Sequence, residues 1–518
     1  MHQFVATMIM GLATLAATRA KAAEPAFSFF EPLTPPRAFQ VMVHRGMGRQ
    51  TPENTKAAID MCVADGLEWV EVDVRLTKDG KHVLFHDGSL DGKTNGHGTV
   101  KDHTLAELKE LDAGAWFARR FAGAKLLTLE ECLKHIKGKI NLYLDCKDID
   151  PALLVQEIQA AGVERQVVVF DKRAVLLRVR ELSGGKIAVM PKWHPQDGFG
   201  DWLDALHPAI VEIDADETTP EFCREFHSRG IKVQAKVLGE WDQPKFWDKV
   251  RADGVDYLQT DLPEEIIGHV LNAQIKQRPV RFACHRGASR YAPENTLPAF
   301  AKAARLHADF VEFDVRPSHD GTFFLLHDKN LNRTTGGKGA INDATDATIA
   351  SLDAGAWFGR PFVGTRMPTL EEFLSAVPPG MSLYFDAKDI PPAALAAALQ
   401  KHGLVERTVV YQSAGFCEQL KQIDARIRTM PGVGSLAEVE QLAKTLKPYA
   451  VDTPWRVLSK EYIDGCHAAG VQVFADAPFT VDVKGYRQAI EWGIDLIQTD
   501  FPLRAWRAME LVAAERGR

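Results

Sequence analysis

The chain has 518 residues, 46% of them hydrophobic and 25% charged, a balance that excludes a disordered chain and a membrane bundle. Its 62 basic and 69 acidic residues leave a net charge of −7, so the total balance carries no footprint for nucleic acid. That length accommodates roughly two to four ordinary domains.

Residues 1–22 read as a signal peptide. Residues 4–17 are mostly apolar, from Phe4 through Met8, Leu12 and Leu15 to Ala17, and Ala20-Lys21-Ala22 then fits a small-x-small cleavage site. The apolar run is too short for a membrane span, so the expectation is a periplasmic or secreted protein with no integral membrane domain in the mature chain. Seven scattered cysteines with no C-x-x-C read as small core residues rather than a disulfide framework.

Strands are predicted at 40–44, 68–75, 140–146, 166–170, 187–190, 209–213, 231–235 and 256–259, with helical patterns between them such as 54–65, 151–162 and 218–229. Strands alternating with helices imply a parallel α/β sheet, and eight of them favour a closed barrel. An open doubly wound sheet is the alternative, but no G-x-G-x-x-G follows the first strand.

The chain then repeats itself. HRG at 44–46 returns at 285–287, PENT at 52–55 at 293–296, and VEVDVR at 70–75 as VEFDVR at 311–316. His86-Asp87 returns as His327-Asp328, LDAGAWF at 111–117 returns unchanged at 352–358, and YLDCKDI at 143–149 returns as YFDAKDI at 384–390. All these share an offset of 241, whereas LQTDLP at 258–263 returns as IQTDFP at 497–502 with an offset of 239. A period this long means two whole domains rather than a solenoid. The expected organisation is two tandem TIM-type (β/α)8 barrels, at 38–273 and 280–514, joined by a polar linker at 274–279.

In the second strand Glu71, Asp73 and Arg75 share the face opposite Val70, Val72 and Val74, which puts two carboxylates inside the barrel. Such a pair is costly without a cation, or without a salt-bridge network that could use Arg75. Asp145 on the next strand offers a third oxygen, and three carboxylates suit Ca2+ or Mg2+ better than zinc. Lys147, on the same face as Asp145, and Arg45 offer charge to an anionic substrate. His44 and His86 each end a strand-like run and suit general acid and base work. His82, His97, His103 and His194 lack counterparts in the second copy and read as surface or local residues.

HRG, PENT, E-x-D, HD, D-x-K and a late TD-x-P, in this order and twice over, resemble the glycerophosphodiester phosphodiesterase family across nearly the whole mature chain. The resemblance implies a barrel with a small insertion after the HD motif, here roughly 87–125 and 328–366. It implies acid–base pairs His44 with His86 and His285 with His327. It implies one divalent cation per barrel, held by Glu71, Asp73 and Asp145, and by Glu312, Asp314 and Asp386. The third ligand is a Glu in the family pattern and an Asp in both copies here. Phosphate contacts fall to Arg45 and Lys147, and to Arg286 and Lys388, while Glu53, Glu294 and Arg333 support the site.

The implied reaction is hydrolysis of a small-molecule glycerophosphodiester to sn-glycerol 3-phosphate and an alcohol, a step of lipid metabolism. In it one histidine deprotonates a glycerol hydroxyl that attacks phosphorus, the other protonates the leaving alcohol, and water opens the cyclic phosphate. Lysophospholipids or polyglycerol phosphate are alternative substrates, and a further alternative makes one barrel only a binding module. The copies differ where Arg333 aligns with Gly92, Trp193 with Val433 and Lys236 with Asp476. The expectation is that both bind metal but prefer different diesters.

Overall fold

The computed structural model describes residues 27–517; the predicted signal peptide lies outside them. The first sheet comprises β1 (Gln40–Val43), β2 (Trp69–Leu76), β3 (His82–Leu84), β4 (Asn141–Cys146), β5 (Val167–Phe170), β6 (Ala188–Met190), β7 (Ile210–Asp214), β8 (Lys232–Lys236) and β9 (Tyr257–Thr260). Eight of these run parallel in the order β6-β5-β4-β2-β1-β9-β8-β7, and β3 pairs antiparallel with β2. The ring closes through a parallel bridge between Lys192 and Glu212, with Trp193 N–H donating to the Glu212 carbonyl at 2.9 Å.

The second sheet repeats this with β10 (Arg281–Cys284), β11 (Phe310–Pro317), β12 (Phe323–Leu325), β13 (Ser382–Asp386), β14 (Thr408–Tyr411), β15 (Arg428–Met430), β16 (Ala450–Asp452), β17 (Gln472–Asp476) and β18 (Leu496–Thr499). Its closing bridge is Gly432 with Asp452. The protein is thus two tandem (β/α)8 barrels.

The eight barrel strands predicted for the first copy lie within a residue or so of those observed. Their β-branched runs are buried on both faces, as parallel strands under helices must be. Val70, Val72 and Val74 pack outward against the helices, while Trp69, Met42, Tyr143 and Tyr257 fill the bottom of the barrel interior. Trp193 also faces outward, fully buried against Phe222 and Phe226, so it does not line the barrel mouth as its place near a strand end suggested. The small insertion carries its own apolar core of Val83, Phe85, Leu90, Val100, Leu108 and Leu126. Residues 27–37 cross the bottom of the first barrel, where the Phe29 ring meets Trp69 at 4.9 Å. All seven cysteines are free and buried.

The barrels touch along two seams. In one, Lys302 of the second barrel pairs with Glu264, at 2.7 Å, and Glu265 of the helix Pro263–Gln274, and Arg290 and Tyr291 reach the buried Asp65 at 2.5 and 3.1 Å. In the other, the two insertions meet: Arg360 N–H donates to the Phe117 carbonyl at 2.8 Å, and the Arg120 guanidinium lies 4.3 Å from the Phe358 ring centre.

Candidate active site

The predicted residues converge at the carboxyl ends of the strands in each barrel. HRG forms a sharp turn after the first strand. Arg45 and Arg286 sit at φ 53°, and the next glycines, Gly46 and Gly287, at φ 76° and 78°. A Cβ on those glycines would stand 2.6 and 2.7 Å from the methyls of Ala58 and Ala299, so the third motif residue has no room for a side chain. The strained arginine backbone turns its N–H onto the buried carboxylate: Arg45 N donates to Glu71 Oε2 at 2.6 Å, and Arg286 N to Glu312 Oε2 at 2.6 Å.

Glu71, Asp73 and Asp145 each offer an oxygen within 4.8 Å of the others, as do Glu312, Asp314 and Asp386. Burial, and then the charges of Asp73 and Asp145, push Glu71 well above the usual carboxylate range; burial and Asp314 do the same to Glu312. Asn54 fixes Asp73 by donating to Oδ2 at 2.8 Å and accepting from its N–H at 2.9 Å, and Asn295 repeats this on Asp314. Lys147 lies 2.6 Å from Asp145 and 3.3 Å from Asp73, with Lys388 likewise against Asp386 and Asp314. Glu71 Oε1 is buried and has no hydrogen-bond donor among the described residues. An anionic oxygen left so among two more carboxylates fits a hard divalent cation. Arg75 does not join the carboxylates; it donates to the His86 carbonyl at 2.7 and 2.9 Å and so fixes the HD loop, as Arg316 does for His327.

Each histidine has a carboxylate behind its Nδ1. His44 meets Asp261 at 2.8 Å and His86 meets Asp87 at 2.7 Å; His285 meets Asp500 and His327 meets Asp328, both at 2.8 Å. Burial works against charge on His285, but the Asp500 hydrogen bond and the charges of Glu312, Asp500 and Asp476 outweigh it and push the ring up to about 9. Sequence reasoning left these four aspartates without a role, although both motifs that hold them, TD-x-P and HD, recur in each copy. Burial also opposes charge on Asp261, yet His44, Arg49 and Arg45 hold it below the usual carboxylate range.

The second barrel's Arg333 spans Asp328 at 2.7 Å and Glu294 at 2.6 Å, linking the HD and PENT motifs. In the first barrel, where Gly92 aligns with Arg333, Lys93, one residue on, makes the same link, reaching Glu53 at 2.7 Å and Asp87 at 3.1 Å. Arg45 and Arg286 complete the support through Glu53 and Glu294, at 3.4 and 3.0 Å. His82 also departs from expectation. It is fully buried, Nδ1 on Glu157 at 2.7 Å and Nε2 accepting from Asp150 N, and it staples β3 to the helix Pro151–Ala161. A third group, His194 with Asp214 and Glu217, lies in the first barrel only, and Lys192 occupies Asp214 at 2.5 Å.

Two parallel barrels, each gathering carboxylates, imidazoles and cations at the carboxyl ends of its strands, define a tandem (β/α)8-barrel hydrolase. The model of the glycerophosphoryl diester phosphodiesterase family matches residues 44–197 and 285–504, and the chain belongs to that family. The match stops earlier in the first copy, within the part where the two copies drift apart. A glycerophosphodiester phosphodiesterase of Bacillus subtilis (strain 168) is 32% identical over 246 residues, 42% of this chain and 82% of its own. One from Caldanaerobacter subterraneus subsp. tengcongensis is 31% identical over 249 residues, 44% of this chain and 97% of its own. Among solved structures, an Oleispira antarctica phosphodiesterase in complex with the product sn-glycerol-3-phosphate is 28% identical. It covers 45% of this chain and 96% of its own, with a TM-score of 0.39.

Proposed function

We propose that each barrel binds one divalent cation, Ca2+ or Mg2+, and hydrolyses glycerophosphodiesters to sn-glycerol 3-phosphate and an alcohol with a histidine pair. The observation that carries this reading is the carboxylate trio of each barrel, with Glu71 Oε1 of the first buried and without a donor among the described residues. Glu71, Asp73 and Asp145, and their counterparts Glu312, Asp314 and Asp386, would hold the cation. Bound there, it would supply positive charge to the phosphoryl oxygens. Arg45 and Lys147, with Arg286 and Lys388 in the second barrel, donate hydrogen bonds to the same phosphate. One imidazole of each pair takes the proton from a glycerol hydroxyl as that oxygen attacks phosphorus. The other gives a proton to the departing alcohol oxygen, and then activates water to open the cyclic phosphate. Asp261 and Asp87 hold the two rings in orientation, as Asp500 and Asp328 do in the second barrel.

The two mouths differ in charge. In the first, Lys192 lies 3.2 Å from Glu212. In the second, glycine replaces that lysine, and burial and Asp476 push Asp452, the counterpart of Glu212, up to about 7. This contrast supports different alcohol preferences in the two barrels. The leader-like residues 1–22 support export to the periplasm or beyond.

The test is release of glycerol phosphate from glycerophosphocholine by the full chain with Ca2+, with Mg2+ and with chelator. Release that needs a cation and disappears in the His86→Ala/His327→Ala double variant is the expected result. Full activity in that variant removes the histidine assignment.

A further inference from the structure

Between the barrels lies a cleft of about 640 Å³. Its walls on the second barrel include His285, Arg286, Glu294 and Asp500, so it opens directly onto that barrel's candidate active site. Its opposite walls belong to the first barrel, among them Met61, Arg120 and Phe121. The second site is therefore bounded in part by the neighbouring domain. A volume of this size is that of a small-molecule site, and it exceeds what a glycerol phosphate group alone would fill.

The charges along these walls are nearly all spoken for. Arg290 is paired with Asp65, Arg286 with Glu294, and His285 with Asp500. Asp60 is held by Lys56 at 2.5 Å and by His135 at 2.6 Å. Arg120 is the exception. Among the described residues its single hydrogen bond goes to the Gln50 carbonyl at 3.0 Å, and no carboxylate lies within ion-pair distance. Its guanidinium lies near two rings, 4.7 Å from the centre of Phe121 and 4.3 Å from that of Phe358, and the residue lines the cleft.

The geometry points to Arg120 of the first barrel as a specificity residue for the second: it receives an anionic group on the alcohol half of a diester whose phosphate sits at Arg286. The anion is a carboxylate or a further phosphate, both of which match the fork of a guanidinium. Asp452 and Asp476 are not walls of this cleft, so their negative charge lies on another side of the mouth. The arrangement is not reciprocal, because the residue corresponding to Arg120 in the second copy is Pro361. The inference rests on the second barrel acting as a phosphodiesterase.

The test uses the full chain carrying His86→Ala, which silences the first barrel, with and without Arg120→Gln. Three diesters are compared: glycerophosphoglycerol, whose alcohol is uncharged; glycerophosphoserine, which adds a carboxylate; and bis(glycerophospho)glycerol, which adds a second phosphate. Arg120→Gln is expected to raise KM for an anionic diester about tenfold relative to glycerophosphoglycerol, the size of one charge-assisted hydrogen bond, with kcat little changed. Arg120→Lys should restore part of the difference, and the diester that shifts more identifies the anion. An equal change for all three would mean a loosened junction, and no change an idle side chain; either overturns the inference. If the His86→Ala chain turns over none of them, the catalytic reading of the second barrel fails instead. Calorimetric binding of the same three diesters then decides: a tenfold selective loss in Arg120→Gln upholds the subsite, and equal binding removes it.

Discussion

Replacing Glu71 by Gln should make the cation-free protein more stable while abolishing one of its cation sites. Two carboxylate oxygens within 4.8 Å of each other repel by at least about 3.5 kcal/mol at an effective dielectric constant of about 20. Part of that repulsion is already offset by Lys147, at 3.3 Å from Asp73, and by Arg45, at 3.8 Å. Gln keeps an oxygen that can accept from Arg45 N, so the bond that holds the turn survives. The net gain expected in chelator is about 2 kcal/mol, or roughly 4–8 °C for a domain of this size. Against it stands the loss of cation stabilisation, about 2.7 kcal/mol at a hundredfold excess over Kd. The measurements are calorimetric: melting with chelator and with cation, and titration with Ca2+ and with Mg2+. Two sites per chain are expected in the native protein, one in Glu71→Gln and none in Glu71→Gln/Glu312→Gln. A Glu71→Gln chain that still binds two cations, or that melts lower in chelator, would refute the carboxylate cage as a cation site.

Asp242, buried against Thr260, Trp247 and the Asp261 N–H, is raised to about 6 by that burial. Its folded pKa lies above the unfolded value, so its stabilising contribution is complete below about pH 4 and is lost as pH rises to 6. It amounts to about 3 kcal/mol at 1.36 kcal/mol per unit. The stability difference between Asp242→Asn and the native chain, followed by urea unfolding from pH 4 to 7, should therefore move in favour of the variant with rising pH; a flat difference contradicts this. Gly359→Ala should loosen the junction, because the new Cβ would stand 2.4 Å from a Phe117 ring carbon while the backbone, at φ 171°, is unstrained. A loss of about 1–3 kcal/mol is expected in urea unfolding, and Phe117→Ala should relieve it. Lys93→Ala should lower first-barrel turnover about tenfold in a His327→Ala background, and Lys93→Arg should retain most of it; an unaffected Lys93→Ala would mean the bridge to Glu53 and Asp87 is idle.

The barrel strands were legible in the sequence because each is a short β-branched run buried on both faces, a pattern set by local physics. The same logic turned Glu71 and Asp73 inward, and the repeat doubled every such reading. What escaped it depends on reach rather than position. Lys93 does the work of Arg333 from a neighbouring residue, because a long flexible side chain can cover one step of backbone displacement; aligned columns show only Gly92 against Arg333. Asp261 and Asp500 stand more than two hundred residues from the histidines they orient, and only the recurrence of TD-x-P marked them. His82 looked unimportant for want of a counterpart, yet its burial against Glu157 reflects a local fold requirement met once. Arg120 lies in an insertion whose sequence speaks only of its own small core, and its role depends on a partner domain that no local pattern encodes.

A repeated sequence need not produce equivalent sites, and the junction shows why. If each barrel presented the same patch to the other, the contacts would come in reciprocal pairs. They do so near the insertions, where Phe117 meets Gly359 and Phe358 lies beneath Arg120, and where the corresponding last helices Pro263–Gln274 and Pro502–Glu515 pack together. Elsewhere the surfaces differ: Asp65 of the first barrel holds Arg290 and Tyr291, whereas its counterpart in the second is Leu306. Lys302 binds Glu264 and Glu265, and its counterpart in the first barrel is Met61. A heterologous junction of this kind sets the first domain against the mouth of the second. The shared parts of the site, carboxylates, histidines and cation bridge, are supplied within each barrel and are free to stay alike. The outer wall of the second site is supplied by the neighbour and has no reason to match. Differences between the two copies should therefore concentrate in what each accepts rather than in how each reacts.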